Sequence, residues 1–441
     1  MNMDDLFSEQ EQSVEQNSSG LVTCLGITFE SDEARQAHFS GELRKKLQDP
    51  EFRKIEGFPI GNDEDILNLS DPPYYTACPN PWIPDFIAEW EKQKPERSKD
   101  YHYHREPFAA DVSEGKNDPI YNAHSYHTKV PPKAIRQYIL HYTEPGDIVF
   151  DGFCGTGMTG IAARECGVRL SNNEIESNLG MRHSILLDLS VLPGFIASNV
   201  NAELHGRDVE RQFARLLELA TEKFKKYFTT VNEDGQEGVI QYCVWSDVFI
   251  CSNCSKEFNY WDGAVDLNKG EQKNPFPCPH CGTSLKKRTL NRAFTTVSDP
   301  ETGEIYKKPR RELVYLNYEY AGRRFNKSAT QEDRKKAYQL ESGKSECWVP
   351  TSELPKADRF YKDGLHLVSL TKYHRFYFPR TLNVLAFIWN EIESASVSDR
   401  LRNALRFIVT SMVDRNLTIR NRFVVNSHNP RGRINGPLGR V

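Results

Sequence analysis

Residues 147–167, DIVFDGFCGTGMTGIAARECG, leave this chain the least choice of fold. A short apolar strand runs straight into Asp151-Gly152-Phe153-Cys154-Gly155-Thr156-Gly157, and a helix opens from the far side of that loop. Glycines in such a loop let the backbone turn sharply and let a bound group approach the helix N-terminus. Ahead of it, PPKAIRQYILHYT reads as a helix with proline in its first turn, and EPGD as a turn. Behind it, VRLSNNE reads as a second strand. Strand, loop, helix and strand in that order predict a parallel pair, and so an α/β fold. Glu174 closes the second strand, 23 residues after Asp151. A carboxylate there can hold the two hydroxyls of a ribose. The spacing GxxGxG departs from the GxGxxG of dinucleotide binders. Taken alone, an ordinary tight turn between strand and helix would look the same.

The remaining sequence divides by composition. At 441 residues the chain has room for two to three domains. Fifty-seven Lys and Arg stand against 61 Asp and Glu, a net charge of −4, which excludes a generally basic coat and leaves nucleic acid only local patches. No apolar run approaches the ~18 residues that span a bilayer. Residues 1–20 carry five acidic side chains and no Lys or Arg, the reverse of a signal peptide, and read as a disordered acidic tail. ELRKKLQDPEFRKI is a helix candidate, and ILNLS reads as a short strand ending at Ser70, followed by a proline-rich loop. Residues 91–123 read mostly as loop. Residues 183–228 read as helical, with Val209, Phe213, Leu216, Ala220, Phe224 and Phe228 on one face. From Lys287 to about Arg359 the chain is polar and basic with no clear core, and helices return from Tyr373 to Val413. Eight Arg and a single acid, Asp414, occupy 401–441; they suit either a phosphate backbone or a solvated surface.

Ten cysteines include two tight pairs, Cys251-x2-Cys254 and Cys278-x2-Cys281, with 23 residues between them. Two such knuckles make a tetrahedral four-sulfur set suited to structural Zn²⁺. Cys243 and His280 are nearby candidates that a closed site does not need. Metal-binding cysteines suit a reducing compartment, so the cytoplasm is the expected location. The neighbouring Lys286, Lys287, Arg288 and Arg292 either contact phosphate or form a solvated turn.

HSYHTKVPPKAIRQYILHYTEPGDIVFDGFCGTGMTG resembles the joined cofactor motifs of the amino-group DNA methyltransferases, which methylate adenine N6 or cytosine N4 with S-adenosylmethionine. His127-Thr128-Lys129 and Pro131 stand for the family's first segment. Asp151, Phe153, Gly155 and Gly157 stand for its glycine loop, with Gly152 and Thr156 replacing the usual proline and serine. The resemblance implies that Asp151 to Gly157 cradle the methionine part of the cofactor and that Glu174 binds its ribose.

Asp71-Pro72-Pro73-Tyr74 resembles the same family's catalytic motif. The target amine is a poor nucleophile because its lone pair is delocalised into the base. A carboxylate and a proline-fixed carbonyl that accept its hydrogens free that lone pair for attack on the sulfonium methyl. The implied roles are acceptor for Asp71 and the Pro72 carbonyl, corner-forming residue for Pro73, and stacking platform for Tyr74 under a base that has left the duplex. Aspartate at the first position leans towards adenine N6. The resemblance implies a Rossmann-like methyltransferase sheet with an inserted four-cysteine zinc ribbon and a helical C-terminal region. The expected boundaries are a methyltransferase domain over 21–235, the ribbon over 236–295, and a basic, partly helical region over 296–441 that contacts DNA or completes the sheet. DNA is the implied partner, in a restriction–modification or phage-defence setting with its partner proteins. Alternatives are a cytosine N4 or RNA methyltransferase, or an inactive methylase serving as a zinc-ribbon DNA-binding module. Only 52 residues separate Asp71 from His124, too few for the family's remaining strands. Either Asp71 is catalytic in a rearranged sheet, or it is a decoy and the catalytic loop lies beyond the end of this chain.

Overall fold

The computed structural model describes residues 21–94, 96–126, 128–169, 178–204, 206–339, 343–413, 417–426 and 429–435. The acidic tail, His127, Glu174, most of the VRLSNNE segment, Arg415 and Arg440 lie outside them. Two units divide the chain: Met1–Leu204 with Val397–Asn403, and His205–Ser396 with Ala404–Val441. No helix among the described residues is long and apolar enough to cross a membrane.

The first unit begins with a hairpin of β1 (Val22–Cys24) and β2 (Ile27–Phe29). Helix α1 (Asp32–Leu47) follows, and its electrostatics explain its limits: Ser31 caps the Ala34 N–H, Asp32 and Glu33 open it, and Arg44, Lys45 and Lys46 close it. Pro50 then starts a separate turn, α2 (Pro50–Arg53), so the single helix expected over ELRKKLQDPEFRKI is broken at Gln48 and Asp49. Next comes α3 (Asp63–Leu69), where a strand was expected. The Asn62 side chain caps the Asp65 N–H at 2.8 Å, and three acids fill the first turn, so the run Ile66-Leu67-Asn68-Leu69 is held helical. Leu43, Leu47, Ile66 and Ala77 form the core beneath it.

Helices α4 (Ile83–Gln93) and α5 (Pro119–Asn122) flank a long stretch without regular structure. The expected unit then appears as α6 (Pro132–Tyr142), β3 (Ile148–Asp151) and α7 (Met158–Glu165). The strand that pairs with β3 in parallel is β4 (His183–Leu186), in register Ile148 to His183 and Asp151 to Leu186. Residues 183–186 are therefore strand, not the start of a helical region. The helix begins afterwards, as α8 (Val191–Asn201). Ile139, Ala162, Ala163 and Cys166 pack α6 on α7. Among the described residues β3 and β4 form a two-stranded sheet that no strand from 296–441 joins.

The second unit opens with α9 (Gly206–Phe224), whose Leu216 and Ala220 pack with Ile388, Ile392, Leu405 and Val409. Strands β5 (Thr229–Val231), β6 (Glu237–Ile250) and β7 (Glu257–Asn259) follow, then α10 (Tyr260–Ala264), β8 (Val265–Asp266), β9 (Glu271–Gln272), β10 (Phe276–Pro277), β11 (Ser284–Leu285) and β12 (Asn291–Arg292). The region from Lys287 onwards is not coreless. It holds a hairpin of β13 (Phe294–Ser298) and β14 (Ile305–Pro309), then β15 (Arg311–Tyr320) and β16 (Arg323–Ser328). RELVYLNYEY is rich in branched and aromatic residues, and Leu313 and Leu316 of β15 are buried. Strand β6, 14 residues long, pairs with β15 and with β12 in the order β12-β6-β15-β16. Helices α11 (Gln331–Gln339), α12 (Asp358–Lys362), α13 (Pro379–Ser394) and α14 (Asp399–Val413) and the hairpin β17 (Arg422–Asn426) and β18 (Asn429–Asn435) complete the described elements.

Candidate active site and metal centre

The glycine loop is built as a cradle. Gly155 and Gly157 take positive φ, +53° and +73°, which an L side chain resists. A Cβ on Gly157 would stand 2.7 Å from Ala197 Cβ, and one on Gly160 would stand 2.4 Å from Asn201 Oδ1, so α7 packs closely against α8 only because both are glycine. Asp151 accepts from the Phe153 N–H at 3.1 Å and the Thr159 hydroxyl at 2.6 Å, tying the end of the strand to the loop and to α7. A cavity of about 220 Å³ lies over the loop, lined by Asp151, Phe153 to Thr156, and Thr128, Lys129 and Tyr126 from the segment before α6. That is below the ~300 Å³ of a typical small-molecule pocket, so as formed it covers one end of a cofactor-sized molecule. The Thr156 hydroxyl is buried there with no hydrogen-bond partner among the described residues. An orphaned hydroxyl in a glycine cradle fits a polar ligand end. Burial, reinforced by Asp151 and Asp188, pushes the Cys154 thiol up to about 12, so it is a neutral packing group.

One expected ligand residue reads differently in place. Lys129 lines the cavity, but its ammonium donates to the carbonyls of His124 (2.7 Å) and Tyr121, fastening the loop it sits on. The carboxylate beyond the strand parallel to β3 is Asp188, two residues past the end of β4. It accepts from the Gly155 N–H and from the Ser190 N–H, each at 3.0 Å. The apolar run Ser184-Ile185-Leu186-Leu187 with an acid after it is the signal for this residue, hidden when the region is read as helix.

The proline corner lies in the same unit. Asp71 and Tyr75 exchange backbone hydrogen bonds of 2.9 and 3.0 Å, closing a tight loop around Pro72, Pro73 and Tyr74. Asn80 holds the Pro73 carbonyl at 2.7 Å. Tyr75 carries the corner towards the glycine loop: a Cβ on Gly194 of α8 would lie 3.4 Å from its hydroxyl, and Cys154 is close enough to act electrostatically on it. Tyr74 is half exposed, against Phe86 and beneath the guanidinium of Arg35 at 4.9 Å.

The acceptors of the corner are already engaged. Arg35, fully buried on α1, donates to Asp71 Oδ1 at 2.9 Å and to the Pro72 carbonyl. Arg400, in the first turn of α14 and part of the same unit, donates to Asp71 Oδ2 from Nε at 3.1 Å and from Nη2 at 2.9 Å. Asp32 completes the cluster by bonding Arg35 at 2.8 Å. Burial alone would lower the Arg35 pKa, but Asp32 and Asp71 outweigh it and hold it above its ordinary value. Neither arginine is marked out by any motif, and only the folded chain brings them to Asp71.

The four cysteines of the knuckles converge in the second unit. All four Sγ atoms lie within 4.8 Å of one another, with Cys251 to Cys281 at 3.8 Å and Cys254 to Cys278 at 3.9 Å. Sulfurs on a tetrahedron of ~2.3 Å Zn–S bonds stand about 3.8 Å apart, so the cluster fits zinc. Bonds from the Thr283 hydroxyl and backbone and from Asn253 pull the Cys281 thiol down to about 5, towards the thiolate that binds metal. Phe249, Phe258, Phe276 and Leu285 pack behind the sulfurs. Cys243 sits elsewhere on β6, and His280 turns its Nε2 to the Glu257 carbonyl, 2.9 Å away. The neighbouring cations are partly spent: Lys287 lies 4.4 Å over the Tyr260 ring, and Arg292 pairs with Asp247.

Comparison with known proteins finds a match to a family model. A family model described as DNA methylase covers residues 42–196, a span that takes in the proline corner, the glycine loop and Asp188. No curated protein and no solved structure matches the chain.

Proposed function

We propose that the chain is an S-adenosylmethionine-dependent DNA methyltransferase that modifies the exocyclic amine of adenine at N6. The observation that carries this is the glycine cradle on the end of a parallel strand, with the buried Thr156 hydroxyl unpartnered among the described residues, inside a span similar to the DNA methylases. The cofactor, when bound, supplies an electrophilic methyl group. The chain's own contributions are distinct. Gly155, Thr156 and Gly157 offer close backbone approach and a hydroxyl to the methionine end. Asp188, beyond the end of the strand parallel to β3, takes the ribose role expected of Glu174. Asp151, Gly152 and Phe153 hold the loop, and Thr128 and Lys129 wall it. Asp71 and the Pro72 carbonyl accept hydrogens from the amine, and Tyr74 stacks on the base. For this the amine must exchange with Arg400 at Asp71, the more exposed of its two arginines, and use the second lone pair of the Pro72 carbonyl that Arg35 holds. Zn²⁺ on Cys251, Cys254, Cys278 and Cys281 staples the ribbon and has no place in the chemistry.

The arginines favour a second reading, in which the Asp71 corner is a structural knot and the amine acceptor comes from elsewhere. The deciding experiment incubates the chain with labelled S-adenosylmethionine and DNA and analyses the nucleosides. N6-methyldeoxyadenosine, lost in Asp71→Asn with cofactor affinity kept, supports the first reading. N4-methyldeoxycytidine moves the target to cytosine. Product that persists in Asp71→Asn, or tight cofactor binding with no product, points to the second.

A further inference from the structure

A further cavity belongs to neither site above. It lies in the second unit, an open cleft lined by the β13–β14 hairpin, the start of β15, α11 and the first turn of α13, with a volume of about 680 Å³. That is the size of a small-molecule site. At its wall Asp299 and His374 are almost fully buried, 2% and 5% exposed. His374 Nε2 bonds Asp299 at 2.9 Å, and its Nδ1 is buried with no hydrogen-bond partner among the described residues. The Nδ1 of such a ring donates or accepts according to its tautomer and charge, so the missing partner is a polar group.

The same wall is rich in cation. Arg375 is consumed by Asp299 and Glu304, and Arg310 by Glu257 and Glu312. Arg311 and Arg334 are engaged through Nε. Arg311 bonds Asp247 through Nε at 3.0 Å and Arg334 bonds the Leu313 carbonyl through Nε at 2.9 Å, which leaves both Nη forks unclaimed among the described residues. The 16-residue helix α13 begins at this cavity with Pro379, Leu382 and Asn383 on its wall, and a helix N-terminus favours anions. Tyr338 and Phe378 add aromatic surface.

Forked guanidinium groups call for a phosphate, aromatic walls for a flat ring, and the orphaned Nδ1 for a polar group on that ring. A bare inorganic anion meets only the first of these. We propose that this cavity is a second ligand site that binds a nucleotide, with its phosphate at Arg311 and Arg334, its base against Tyr338 and Phe378, and a polar edge of the base towards His374. The nucleotide comes either free or as part of a DNA strand.

The test is binding of AMP and of a short single-stranded oligonucleotide to the full chain, by calorimetry and fluorescence anisotropy, with Arg334→Ala, His374→Gln and Asp188→Ala. Arg334→Ala is expected to weaken the nucleotide binding that remains in Asp188→Ala by about tenfold or more, the loss of one charged hydrogen bond. AMP alone binding in this manner identifies a free nucleotide, and the oligonucleotide alone a DNA strand. Binding lost in Asp188→Ala and kept in Arg334→Ala would put the nucleotide in the glycine-loop pocket and overturn the proposal, as would no binding of either probe at millimolar concentration. His374 is buried, so Arg334→Ala keeps the test decisive if His374→Gln does not fold.

Discussion

Asp71 illustrates what a motif carries and what it omits. Its identity and its two prolines are legible as DPPY, and so is the chemistry those groups suit. The motif does not carry Arg35 and Arg400, which lie 36 and 329 residues away and meet it only in the folded unit. Removing the Asp71 carboxylate leaves Arg35 buried with one partner fewer. Asp71→Ala is therefore expected to cost about 3–5 kcal/mol of stability, read from urea unfolding. Asp71→Asn keeps a carbonyl for Arg35 and should cost less. Equal stability of wild type and Asp71→Ala would mean the arginines draw nothing from the pair. Asp188 is the opposite case, a residue no motif singles out. Asp188→Ala is expected to weaken S-adenosylmethionine binding at least about tenfold by calorimetry, through lost charged hydrogen bonds. Undiminished affinity would remove it from the ribose role.

At the level of elements, segments with strong local rules fold as those rules predict. Pro132 at the start of α6, the apolar Ile148-Val149-Phe150 run of β3 and the glycine loop into α7 each carry their own instructions. Short apolar runs do not. ILNL is equally compatible with strand and helix, and the acidic cap at Asn62 to Asp65 decides for helix. Residues 183–186 become strand because β3 offers them a parallel ladder, a long-range partner with no local signature. The α7–α8 contact yields a sharp expectation. Gly157→Ala places a methyl group against Ala197 and forces a positive φ, so a loss of about 1–3 kcal/mol from overpacking is expected, with backbone strain added. Normal stability in that variant would contradict the close packing. For the ribbon, metal analysis should find one zinc per chain, lost in Cys251→Ser together with the protease resistance of residues around Phe276. Full zinc content in the variant would exclude Cys251 as a ligand.

Across the whole molecule, charge placement sets the acid limit. Burial works to raise the Asp299 pKa, but the bonds from His374 and Arg375 outweigh it and hold the carboxyl at about 2, below its ordinary 3.8. Its folded value is depressed, so its ionisation stabilises the fold above about pH 4 and the benefit is lost as pH falls towards 2. Unfolding followed across that window should be steeper with pH in wild type than in Asp299→Asn. Identical slopes would assign the acid sensitivity to other carboxylates. The cysteine spacing, the glycine loop and the proline corner needed no coordinates, because each packs its chemistry into a few consecutive residues whose types serve little else. Which arginines close on Asp71, which acid stands beside Gly155, and that an unclaimed histidine nitrogen and two open guanidinium forks share one cavity were decided by folding alone. Such groups are joined through space by packing and long-range pairing, and neither leaves a fixed spacing along the chain.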